Sequence, residues 1–254
     1  MSIDFRANAS ALIFAFLLAA CEAPPQSTYP RPEIPPYRPS GVLTLVKRLP
    51  VKASQAQLSA SLPVIMTEVA RAGMSDSEKV REAVAILAHQ PKVVEVLVTS
   101  YRNLPPQHFA QRLLTVQVIG QMRRADARTF LGEVVRKPLP ADTPIKDGLS
   151  QRDIEEAIQV KAVHGLAFLR SDIAFDDIVK VMREHESEHV RREAIDAWLW
   201  NHGDRPKAAG ELKALLPDRY HKFIGIPRFV RGMDAAAFNK HVLGKRRQDK
   251  GGRR

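Results

Sequence analysis

The sequence predicts an all-α protein: an α-solenoid of about four to five helix-turn-helix repeats, placed after a disordered proline-rich linker. Three observations predict it. Past Gly41, apolar residues recur at helical spacing, and glycine and proline fall mainly at the breaks. Small or aliphatic residues return at equivalent places about every 33 residues. With 44% apolar and 26% charged residues, the 254-residue chain has the composition of a folded protein.

Composition also excludes. A single cysteine rules out a disulfide scaffold and any Cys-rich zinc module. No apolar run reaches the ~20 residues of a membrane-spanning helix. The balance of 39 Lys+Arg against 28 Asp+Glu leaves a formal charge of +11.

Residues 1–6 are short and polar and include Arg6, offset by Asp4. Residues 11–20 then form an unbroken apolar run, long enough for the core of a secretion signal and too short to span a bilayer. The run closes in Leu18-Ala19-Ala20-Cys21, and that cysteine is the one cysteine of the chain. This resembles the lipobox of bacterial lipoproteins. The resemblance implies a signal peptide over 1–20, cleavage between Ala20 and Cys21, and acylation of the Cys21 thiol and amino group. A single acyl chain holds a membrane marginally, whereas two or three make release slow. Glu22 stands where an aspartate would favour inner-membrane retention in enterobacterial lipoproteins, so the expected location is the outer membrane rather than the inner.

Residues 21–40 form the linker. Seven of the sixteen residues 24–39 are proline, which removes backbone donors and favours extended polyproline II. At ~3.1 Å per residue such a spacer reaches roughly 60 Å from the membrane. A ligand for a proline-reading groove, anchored by Tyr29 and Tyr37, is the alternative use.

Residues 41–243 form the helical domain. Residues 42–46 are short and apolar, readable as a strand or a first helical turn. Residues 54–72 form a helical element with Pro63 near a start or kink. Ala83, Val116, Ala162 and Ala194 are then equivalent positions, spaced by 33, 46 and 32 residues. The long spacing contains residues 138–150, thirteen residues rich in proline, aspartate and glycine that read as a loop; without them it becomes 33. Three residues on stand Ile86, Ile119, Gly165 and Ala197. Ten residues on, Asp126, Asp172 and Asp204 suit helix N-caps, with Val93 in the first unit. Second helices follow with Phe130, Leu131, Val134 and Val135; with Phe175, Ile178, Val179 and Met182; and with Ala208, Leu212, Leu215 and Leu216. Pro105, Pro138 and Pro217 close the first, second and fourth units, and Glu184 stands at that place in the third.

Val190-Arg191-Arg192-Glu193-Ala194-Ile195-Asp196-Ala197-Trp198-Leu199 is similar to the first helix of a bacterial HEAT-like (armadillo-type) repeat, and Val80-Arg81-Glu82-Ala83-Val84 is a shortened echo. The resemblance covers residues 76–217 and implies a curved platform for protein binding. Residues 220–243, broken at Gly225-Ile226-Pro227 and Gly232, would cap the stack. Residues 244–254 form a disordered tail with six positive charges and one negative, suited to anionic lipid or an acidic envelope polymer. Secretion argues against nucleic acid as its partner.

His185-Glu186-Ser187-Glu188-His189 matches the zincin pattern, in which two histidines one helical turn apart bind zinc and the glutamate activates water. Here it falls in the turn between repeats, carries the charged Glu188 inside the motif, and has Arg192 where the extended motif has glycine. His185 and His189 are therefore candidate metal ligands only for an alternative reading, a secreted metallopeptidase. A polar surface turn is the preferred one. No phosphate loop or nucleophile elbow is present, so no catalytic residue and no cofactor are expected. Trp198 and Trp200 are candidate interaction residues. Two positions apart, they cannot share one helix face, and core packing of both on adjacent sides is the other reading. The expected protein is a non-enzymatic, membrane-anchored envelope lipoprotein that scaffolds another envelope protein. A cytoplasmic scaffold follows if the signal is not processed.

Overall fold

The structure is a computed structural model that describes residues 41–72, 77–144, 150–202 and 205–224. The expected signal peptide, Cys21, the proline linker, most of the C-terminal cap and the basic tail lie outside the described residues. Among the described residues the protein is all-α, with one isolated antiparallel bridge between Pro144 and Ser150. None of these helices is long and apolar enough to cross a membrane.

Ten helices follow in order. They are α1 (Val42–Lys47), α2 (Gln55–Ala72), α3 (Ser77–Ala88), α4 (Val93–Asn103), α5 (Phe109–Gln121), α6 (Arg128–Arg136), α7 (Gln151–Leu169), α8 (Asp172–Glu184), α9 (Glu188–Asn201) and α10 (Arg205–Leu215). A 3-10 turn, Ala125–Ala127, leads into α6, and another, Asp218–Phe223, follows α10. The chain divides into two compact units with the boundary inside α8, after Asp177.

Helix ends follow local chemistry. Pro105, Pro138 and Pro217 each lie one or two residues beyond a helix. Leu104 and Lys137, which precede two of them, are extended with ψ of 128°. The proline ring clashes with a helical predecessor, so the helix stops there. Ser150 opens α7 with a capping box: its side chain accepts from the Asp153 N–H, and Asp153 accepts from the Ser150 N–H at 2.9 Å. Residues 42–46 prove helical. Pro63 sits inside α2, well past its start, with its ring exposed. The acceptor left over one turn earlier belongs to Ser59, which is open to solvent.

The expected aspartate N-caps are corrected. Asp126 lies within the 3-10 turn rather than ahead of α6, and no side chain caps either element. It holds Arg124 instead, at 2.7 Å from Nη2. The Arg124 guanidinium in turn donates to the carbonyls of Ala88 and Gln90, at 2.8 and 3.2 Å. It thereby satisfies acceptors at the C-terminus of α3. Asp172 is the first residue of α8, and Asp204 lies outside the described residues.

In the first unit α1 packs on α2 and α3, α2 on α4 and α5, α4 on α5, and both α5 and α6 on α7. The buried face of α2 is Leu58, Leu62, Ile65 and Val69, spaced by three and four residues. Gln90 ties the segment before α2 to the α3–α4 turn: it accepts from the Ala53 N–H at 2.9 Å and donates to the Pro50 carbonyl at 2.8 Å.

The tightest contact is between α5 and α7. A Cβ placed on Gly120 would meet the Cα of Gly165 at 2.6 Å, so the two backbones touch with no room for a methyl group. A Cβ on Gly165 would lie 3.0 Å from the Gly120 Cα and from both δ-carbons of Leu131 in α6. Arg112 of α5 pairs with Glu155 of α7 near the other end of the crossing. The order of the two contacts along each helix shows that α5 and α7 run in the same direction.

In the second unit α9 packs on α10. Arg183 Nε, at the end of α8, donates to the Leu215 carbonyl at 2.8 Å. Ser187 caps α9 by accepting from the Val190 N–H at 3.2 Å.

Gly120→Ala should destabilise the protein by about 1–3 kcal/mol, since forcing apart two backbones outweighs the ~1 kcal/mol that alanine gains in helix propensity. Gly165→Ala should cost less, because its methyl would meet the Gly120 Cα and the Leu131 side chain at 3.0 Å rather than backbone at 2.6 Å. Urea denaturation followed by circular dichroism checks the order; equal stability of Gly120→Ala and wild type contradicts the close crossing.

Candidate functional site

The candidate site residues within the described part of the chain all lie around α9. The zincin-like segment does not form a zincin helix. His185 follows the end of α8, Ser187 is the N-cap of α9, and His189 sits in the first turn of α9. The two imidazoles thus belong to different backbone segments, whereas zinc capture by this motif needs both on one helix face. His185 Nδ1 instead accepts the Ser187 N–H at 3.0 Å. That bond orients the turn and occupies one ring nitrogen. Among the described residues no group of three or more His, Cys, Asp or Glu side chains could hold a metal ion.

The two tryptophans part company. Trp198 is 4% exposed and Trp200 43%. Trp198 stacks on His202, one turn on, with ring centroids 3.7 Å apart and planes 11° from parallel. The His202 Nδ1–H donates to the Trp198 carbonyl at 2.8 Å, closing the end of α9. Core packing of both rings, one of the sequence readings, therefore fails for Trp200. As candidate interaction residues, Trp200 presents its ring to solvent, while Trp198 does not. Helical rotation of about 200° between them puts one in the core and the other outside.

Sequence reading missed a buried polar cluster in the first unit. The Arg112 guanidinium, 5% exposed, grips the Glu155 carboxylate, 11% exposed, with two N–H groups; the Nη2 bond is 2.9 Å. Nη2 also donates to the Tyr101 hydroxyl at 3.0 Å, and Lys137 Nζ lies 3.6 Å from the carboxylate. Tyr101 meets the edge of Phe130 at 5.1 Å. The cluster joins α4, α5, α6 and α7. Burial pushes the Tyr101 phenol above its ordinary range, against the Arg112 bond. Burial also acts to raise the Glu155 carboxyl, yet the Arg112 hydrogen bonds and charge outweigh it, and the group titrates below the usual carboxylate range. Arg112 is held charged above its usual range: burial opposes this, and its bonds to Glu155 and Tyr101 overcome it. The charge pair thus ties these helices together at one buried point. The sequence signal is weak, because Arg112 and Glu155 stand 43 residues apart.

A shallow groove of about 90 Å³ runs between α5 and α7, lined by Gln117, Gln121, Lys161, His164 and Phe168 beside Gly165. Small-molecule sites are typically about 300–1,000 Å³, so this groove has room for a few waters.

These features define an all-helical protein among the described residues. No known protein family, curated protein sequence or solved structure matches the chain.

Glu155→Gln should lower stability by about 3–5 kcal/mol, because it leaves the Arg112 charge buried without its counter-ion. The folded carboxyl binds its proton less readily than the unfolded one. The stability it contributes is complete above the unfolded value of about 4.3 and is lost as pH falls through the lower folded value. Wild type should therefore weaken with acid across this window more steeply than Glu155→Gln in thermal melts at stepped pH; parallel curves would contradict the assignment.

Proposed function

We propose that the protein is a lipid-anchored lipoprotein of the bacterial envelope whose helical-repeat body is a non-enzymatic scaffold for another envelope protein. One observation carries the reading: Leu18-Ala19-Ala20-Cys21 closes a ten-residue apolar run, and all four lipobox positions fit around the one cysteine of the chain. Cys21 is the acylated residue, and cleavage falls between Ala20 and Cys21. Two or three acyl chains, at ~0.8 kcal/mol per buried methylene, hold the chain in the bilayer. The proline-rich residues 24–39 then act as the spacer. Glu22 favours the outer membrane over the inner.

The HEAT-like solenoid is part of this proposal. Ala83, Val116, Ala162 and Ala194 lie in α3, α5, α7 and α9, the first helix of four successive pairs, and each is fully buried. The parallel course of α5 and α7 supports the same reading, since equivalent helices of stacked repeats run in one direction. Exposed Trp200 is the residue of α9 best suited to anchor a partner. The separation of His185 and His189 between two backbone segments disfavours the metallopeptidase alternative.

In the native host, Cys21→Ser should move the protein from the membrane pellet to the soluble fraction. The wild-type chain should have an intact mass that begins at Cys21 and carries added acyl groups. Equal pelleting of both forms, or an unmodified mass, rejects the anchor.

A further inference from the structure

We draw no further inference here: the strongest candidate, the shallow groove of about 90 Å³ between α5 and α7 lined by Gln117, Gln121, Lys161, His164 and Phe168 beside Gly165, carries nothing because nothing in the structure shows what covers it.

Discussion

The first unit depends on one steric constraint: the absence of two methyl groups where α5 crosses α7. At Gly120 and Gly165 the backbones themselves are in contact, and a Cβ on Gly120 would lie 2.6 Å from the Gly165 Cα, well inside van der Waals contact distance. Close approach here sets the reach of everything around it. It brings Leu131 of α6 onto Gly165, and it lets Arg112 and Glu155 meet farther along the same pair of helices. With a glycine contact toward one end and a bidentate charge pair toward the other, α5 can neither slide along α7 nor turn about it.

A buried ion pair is a poor source of net stability, because the desolvation of both ions offsets most of their attraction. Its value in this fold is register. Arg112 reaches Tyr101 on α4 and Glu155 on α7 at once, and Lys137 closes the far side of the carboxylate. A slipped register would strand a charge in the core, so the cluster selects one alignment of the four helices. Arg124 does related work at the exit of α3, where it gathers carbonyls from the preceding turn. The lock at Gln90 is of the same kind. Two connections between helices are thus held by side chains with several donors or acceptors, while serine caps open α7 and α9.

In the second unit the same residue types are arranged differently. Trp198 is stapled to His202 and lost to the core, and Trp200 faces outward. Arg191 of α9 and Arg219 of the turn after α10 both lie over the ring of Tyr220.

The sequence by itself determined the all-α class and most of the helix ends. Those properties are local: apolar period, proline one or two residues past a helix, and a serine-aspartate box at the start of α7 act within a few residues of chain. The buried positions Ala83, Val116, Ala162 and Ala194 were legible for the same reason, since periodicity alone marks an inward face. The Asp126 cap was misread, because a 3-10 turn shifted Asp126 inside the element and an arginine competed for its carboxylate. Only the tertiary structure decided that Gly120 must meet Gly165, that Arg112 belongs with Glu155, that His185 and His189 stand on separate segments, and that Arg191 and Arg219 share a ring. Each of these joins residues through the path of the intervening backbone, and no spacing along a single chain encodes that path directly.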